Sequence, residues 1–269
     1  MKNLDAKKIA IIVAILIVVA LVVVLVLKNG NKQTEATAEE TTKLEEITNN
    51  YITEMKLGYA TEYLGKEKLY SNDKTTVKDL TDGDILNIAF RYIENENKDA
   101  MIIDEGLQIS LNANGYEVAN YETIIKGEEV RKAIKTLFGI DWEDKGYAND
   151  SENESYFTFT YDKSLDVYFQ AFNENYRNVN FNAIKSVLTK TIEATKNKKE
   201  AKITIAVAFA NHITEETLVY SDINNKDKVY STTEQTKEIK EDQIDKFTKY
   251  TITYKIDGDN YIFESIEKQ

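Results

Sequence analysis

Apolar and polar positions follow three different rhythms along this chain. Ile9 to Leu27 is an unbroken run of 19 apolar residues. A bilayer core takes about 20 such residues as a helix. A lone segment in lipid can satisfy its backbone only as a helix. The run therefore predicts a transmembrane helix over 9–27. The next stretch, 28–42 (KNGNKQTEATAEETT), is polar and reads as a stalk running into a helix.

Helical spacing follows. Leu44, Ile47, Tyr51, Met55 and Tyr59 predict a helix over 43–64. Ile85, Ile88, Ala89, Tyr92 and Ile93 predict one over 82–95, with Thr81-x-x-Asp84 resembling a capping box. Val130, Ala133, Ile134 and Leu137 predict a third over 128–138, with Gly139 placed to end it.

From about residue 155 the period becomes that of strands. Tyr156–Tyr161 and Leu165–Phe172 read as a hairpin around Asp162-Lys163-Ser164. Residues 183–195 fit a strand paired through Asn197–Lys199, or a helix. Ile203, Ile205, Val207 and Phe209 alternate with Lys202, Thr204, Ala206 and Ala208, as in a half-buried strand. Leu218–Ser221 and Val229–Ser231 read as short strands. In YTITYKIDGDNYIFESI, Asp257-Gly258 predicts a two-residue turn that pairs Ile256 with Asp259, Tyr254 with Tyr261 and Ile252 with Phe263. Helices first and strands later predict an α+β fold with a largely antiparallel sheet. The expected organisation is a cytoplasmic tail (1–8), the span (9–27), the stalk (28–42), a mainly helical part (43–150) and a mainly antiparallel β part (151–269).

Charge orients this arrangement. Residues 1–32 carry five lysines against Asp5, so the overall −12 leaves −16 on residues 33–269. Lys2, Lys7 and Lys8 precede the span, which predicts an N-terminus in the cytoplasm and residues 28–269 outside. A cleaved signal peptide is the rival, with Ala36-Thr37-Ala38 as its A-x-A site. The apolar run is longer than the usual h-region, and that site lies far past Leu27, so an uncleaved signal-anchor is preferred. A surface this acidic repels nucleic acid, anionic lipid and anionic wall polymers.

Composition excludes much chemistry. The chain has no Cys, no Pro and one His. Disulfides, thiol nucleophiles and Cys-ligated metal sites are out. His212 would have to serve in any Ser–His–acid triad, yet no nucleophile motif accompanies it, and it reads as a turn histidine. Asp79, Asp82 and Asp84 cluster three carboxylates that could hold Ca²⁺, but acids at a helix start cap it and complement its dipole. Asp222-x-Asn224-x-x-Asp227 lacks the Gly and Glu of a calcium loop. Asp257-Gly258-Asp259 reads as a hairpin turn, and Asp150, Glu152 and Glu154 as a solvated acidic loop. Paired carboxylates for glycoside hydrolysis need two acids in one cleft, and 46 acids single out no pair. Tyr156, Tyr161, Tyr168, Tyr250, Tyr254 and Tyr261 fall in predicted strands, which favours sheet packing over a ligand platform. No catalytic, cofactor-binding or metal residue is assigned, and no cofactor is expected.

The stretches LFGID (137–141), YDKSLDVYFQAF (161–172) and YTITYKIDGDNYIFESIE (250–267) accompany the short Lys-bearing N-terminus and the Ile/Val-rich run. In these features the chain resembles the uncharacterised exported, membrane-anchored proteins of AT-rich Gram-positive bacteria. The resemblance implies a cell-surface protein facing outward and transfers no catalytic residue. The expected function is a single-pass, membrane-anchored binding or scaffolding module without catalysis. Its expected partners are the membrane, through Ile9–Leu27, and a protein or cell-surface ligand. The alternatives are a wall-directed hydrolase using paired carboxylates and an accessory subunit docking through the 43–64 helix.

Overall fold

The structure is a computed structural model. It describes residues 33–48, 69–70, 72–101, 103, 105–146, 157–172, 184–213, 216–222, 226–233 and 239–269. The predicted span at 9–27 lies outside these residues. No helix among the described residues is long and apolar enough to cross a membrane.

The fold is α+β, with a mostly antiparallel sheet. Strand β1 (Thr34–Glu35) leads into helix α1 (Ala38–Ile47), and β2 (Lys74–Thr76) precedes α2 (Asp82–Glu96). Helix α3 (Glu105–Ala113), strand β3 (Thr123–Lys126) and helix α4 (Gly127–Phe138) follow. Next come β4 (Phe157–Asp162), β5 (Val167–Phe172), β6 (Ile184–Lys196), β7 (Glu200–Ile213), β8 (Glu216–Tyr220) and β9 (Lys228–Thr232). The chain closes with β10 (Thr248–Asp257) and β11 (Asn260–Lys268). The main sheet runs β1-β6-β7-β10-β11-β2, with β8 and β9 continuing from β7, and a small sheet runs β3-β5-β4.

Two helix readings hold. Thr81 Oγ1 accepts from Asp84 N (3.2 Å) while the Asp84 carboxylate accepts from Thr81 N, completing the capping box of α2. Gly139 ends α4 with a φ of +67°, the left-handed conformation glycine adopts at low cost. The first helix differs. It begins at Ala38, because Thr37 and Glu40 form a capping box there. Residues 34–42, read as part of a stalk, are therefore folded: β1 pairs with β6, and Ala36 N donates to Ala194 O (3.0 Å). Residues 49–64 of that predicted helix lie outside the described residues. Helix α3 and strands β2 and β3 escaped the periodicity because they are short or weakly patterned.

The segment left open at 183–195 is a strand. β6 pairs with β7 along its length. Asn197 closes the turn, its Oδ1 accepting from Lys199 N (2.8 Å) and Glu200 N (2.9 Å). Ile192 is bulged out of this ladder and 42% exposed.

One face of the main sheet makes the principal core. Ile203, Ile205, Val207, Tyr250, Ile252, Tyr254, Phe263 and Ile266 are buried there against Leu44 of α1 and the apolar stripes of α2 and α4. Phe90 of α2 meets Phe159 of β4 edge-on at 5.0 Å, so the helices also cover one face of the small sheet. The half-buried expectation for β7 needs correction. Ala206, Ala208 and Ala210 are also buried, beside Leu188 and Val219 of the neighbouring strands and against Ile239 and Phe247. Small alanines on that face let the segment 239–247 lie close.

The C-terminal hairpin turns one residue later than predicted. Asp257 pairs with Asn260, Ile256 with Tyr261 and Tyr254 with Phe263. Gly258 carries the positive φ (+61°), and Asp259 is not among the residues with positive φ. Positive φ at the first turn residue alone belongs to a type II′ turn, not the predicted I′. The register error is two residues, and side chains alternate with a period of two, so the face assignment survives. Ile252, Tyr254 and Phe263 are buried, Tyr261, Thr251 and Thr253 half-buried and Lys255 exposed. A bulge at Glu264 then shifts the register so that Ile252 faces Ile266.

Losing a buried Phe ring costs about 3–5 kcal/mol. Phe263 is 2% exposed and packs edge-on to Tyr254 and Phe138. Phe263→Ala should lower the urea midpoint of unfolding far more than Thr253→Ala, expected to cost less than about 1 kcal/mol. Equal midpoints would refute the face assignment. Gly258→Val should also destabilise, purely through its backbone, since a Cβ at Gly258 would meet nothing within 4 Å.

Candidate functional site

The acidic residues singled out from the sequence serve local structure. The Asp79 carboxylate accepts from Thr76 N (2.7 Å) and Thr76 Oγ1 (2.8 Å), bonds that lower its pKa. Asp84 caps α2, and Asp82 pairs with Lys145 at 2.8 Å. Asp222 accepts from Lys226 N and Asp227 N and holds its loop closed. Asn224, Asp150, Glu152 and Glu154 lie outside the described residues. His212 falls within β7, opposite Ile184 and Thr217, rather than in a turn. Tyr168, Tyr250 and Tyr254 are buried and Tyr161 and Tyr261 half-buried, as sheet packing requires. Tyr156 lies outside the described residues. Among the described residues, no three metal-ligating side chains gather in a metal-binding arrangement.

The densest polar cluster was not legible in the sequence. Arg131 of α4 makes a bidentate pair with Asp166, Nη1 to Oδ1 at 2.9 Å and Nη2 to Oδ2 at 2.8 Å. Its Nη1 also meets Asp144 at 2.5 Å. Tyr161 donates to Asp166 (2.7 Å) and Tyr168 to Asp144 (3.1 Å). Trp142 Nε1 donates to the Tyr168 hydroxyl at 2.8 Å. Asp166 sits at φ +50°, in the left-handed region. Gly127 N donates to its carbonyl at 2.7 Å, and a Cβ at Gly127 would come within 2.2 Å of its carboxylate. A side chain at Gly127 would push the Asp166 carboxylate out of this position. One weak sequence signal existed: Arg91, Arg131 and Arg177 are the only arginines in a lysine-rich chain. Planar bidentate recognition is what lysine cannot supply.

Electrostatics assign this cluster a holding role. The bond from Arg131 keeps the Asp166 carboxyl below its ordinary range. Burial, followed by the bond to Asp166, pushes Tyr161 up to about 12. Nearby, bonds from Ser164 and then Tyr116 lower Asp162 to about 2. Tyr116 is itself raised to about 12, chiefly by that bond to Asp162, and stacks on Phe169 at 4.4 Å. Asp162 and Asp166 are thus held ionised, whereas a glycosidase general acid needs a raised pKa.

An open concavity among the described residues lies elsewhere. A groove of about 610 Å³ runs between the end of α4, the turn after β2 and the β10–β11 hairpin. Phe138, Ile262 and Phe263 supply apolar lining, and Lys78, Lys135 and Lys255 line it together with Asp257 and Glu264. Lys135 is engaged by Asp141 at 2.6 Å. Lys78 and Lys255 are exposed and have no ion-pair partner among the described residues. The volume is that of an ordinary ligand pocket. Its lining suits a ligand with both apolar surface and charge. Sequence spacing could not reveal it, because its walls come from three separate segments, 76–78, 135–139 and 255–264. No protein-family model, curated protein or solved structure matches this chain.

Arg131→Lys should lower stability by about 1 kcal/mol, because a single ammonium cannot replace the fork, while partial exposure limits the loss. The urea midpoint checks this. Acid should also act here. A carboxyl whose pKa is depressed on folding contributes stability above its unfolded pKa and loses it as pH falls through its folded value. Thermal stability should therefore drop between about pH 4 and about pH 2, and Asp162→Asn should flatten that drop. An unchanged slope in the variant would refute the role of Asp162.

Proposed function

We propose that this chain is a single-pass membrane protein, N-terminus in the cytoplasm, whose folded part is a non-catalytic binding module outside the cell. On this reading it belongs with the exported, membrane-anchored proteins of AT-rich Gram-positive bacteria that it resembles. The observation that carries the binding role is the groove beside β11, an open concavity whose Lys78 and Lys255 have no ion-pair partner among the described residues, in a domain of net charge −16. The anchor rests on the run Ile9–Leu27 behind Lys7 and Lys8.

Two findings support the details. Cleavage after Ala38 would remove β1, the Ala36–Ala194 bond and the Thr37 cap of α1, which favours an uncleaved anchor. Among the described residues the carboxyls with clear shifts, Asp79, Asp162 and Asp166, all move downward, which speaks against a general acid among them. The accessory-subunit reading loses part of its basis, since Leu44 is fully buried and Ile47 packs against this domain's own core.

Protease added outside intact cells should degrade residues 33–269 and spare only the short N-terminal tail. A mature protein released into the medium and beginning near Glu39 would overturn the anchor. Turnover of cell-wall polymer by the purified chain, abolished by Asp144→Asn, would overturn the non-catalytic role.

A further inference from the structure

We infer that the β6–β7 turn is a membrane-docking surface, held against anionic lipid headgroups by the short tether that enters the fold beside it. The inference rests on the anchor reading above and adds which end of the domain faces the bilayer. The structure fixes where the chain enters. Thr34 pairs with Lys196 and Glu35 with Thr195 in antiparallel register, so the chain comes in at the turn end of β6. Gln33 Nε2 donates to Glu200 Oε1 at 2.9 Å, on the far side of that same turn.

The sequence fixes how far this point can stand from the membrane. Only residues 28–32 separate Leu27 from Gln33. Six Cα-to-Cα steps at about 3.3–3.6 Å each give a reach of about 20 Å at full extension. The headgroup layer itself takes up about 5–7 Å of this. The turn is therefore confined to within about two Debye lengths of the headgroups.

The β6–β7 turn runs opposite in charge to the rest of the domain. Lys196, Lys198, Lys199 and Lys202 stand against Glu200 in 196–202, with Glu35 beside them on β1. Lys196 is engaged by Glu40, and Lys202 by Glu200 at 3.1 Å. Lys198 and Lys199 sit exposed at the tip with no partner among the described residues. The neighbouring β10–β11 turn, joined through Ile256 N donating to Lys199 O at 2.8 Å, adds Asp257 and Asp259, and Lys43 reaches the Asp259 carbonyl. The turn itself still carries four lysines against Glu200, in a domain that is otherwise strongly acidic. A basic tip pulls toward anionic headgroups at about 1 kcal/mol per lysine near the surface, while the acidic remainder is pushed away. Tether and charge thus favour one orientation.

The test uses the full chain reconstituted into vesicles of phosphatidylcholine alone or mixed with phosphatidylglycerol. Amine acetylation is followed lysine by lysine by mass spectrometry. Lys198 and Lys199 should react about threefold or more slowly in the anionic vesicles, with the contrast erased at about 1 M salt. Lys226 and Lys228 serve as controls, because β8 and β9 join β7 at its opposite end, and they should react alike in both. In a Lys198→Gln, Lys199→Gln variant the lipid contrast at Lys202 should vanish. Equal rates at Lys198 and Lys199 in both lipids, with the chain still resisting carbonate extraction, overturn the docking surface and leave the anchor standing. Extraction of the chain by carbonate overturns the anchor, and the docking surface with it.

Discussion

The pairing of β7 with β10 is the constraint on which the rest of the fold depends. It sets Ile252 opposite Ile203, Tyr250 opposite Ile205 and Tyr254 opposite Ala201, all on one face and all at most 4% exposed. With no cysteine, stability has to come from burial and hydrogen bonding rather than cross-links. Each square ångström of apolar surface removed from water contributes roughly 25 cal/mol. The stripes of α2 and α4 are buried against this face, and α1 is locked to it by the Thr48–Tyr254 hydroxyl contact at 2.5 Å. Tyr254 is fully enclosed, and burial raises its pKa, so its hydroxyl needs the partner that Thr48 supplies.

The small sheet is attached by a different kind of force. Phe159 and Tyr168 reach the common core, while Val167 and Phe169 face a separate cluster with Leu111 and Ile124. Between the apolar layers, Arg131 bridges Asp144 and Asp166, joining α4, the loop after it and the β4–β5 turn. The left-handed backbone of Asp166 is the cost of aiming its carboxylate at that guanidinium. The bidentate pair and the bond from Tyr161 offset it.

The groove and the point where β1 enters the fold lie at the same end of the main sheet. Lys255, Asp257 and Asn260 line the groove near the tip of the β10–β11 hairpin, and β10 runs beside the β6–β7 turn there. A domain docked by that turn would carry its groove close to the bilayer. Ligands presented at or near the membrane surface are then the ones best placed to reach it.

Long, strongly patterned elements were legible in the sequence. The stripes of α2 and α4, the cap at Thr81, Gly139 and the alternation of β10 follow from local periodicity and backbone chemistry, which need no knowledge of neighbours. The faces of the C-terminal hairpin were legible even though its turn was misplaced, because a two-residue slip preserves parity. Tertiary structure decided the rest. The 183–195 segment became a strand because β7 offered it a full ladder. Ala206 and Ala208 became core because the 239–247 segment covers them. Thr34–Thr42 joined the fold because β6 had an edge free beside Lys196 and Ala194. The Arg131 cluster and the groove unite side chains from distant segments, and sequence spacing holds no information about contacts that only packing brings together.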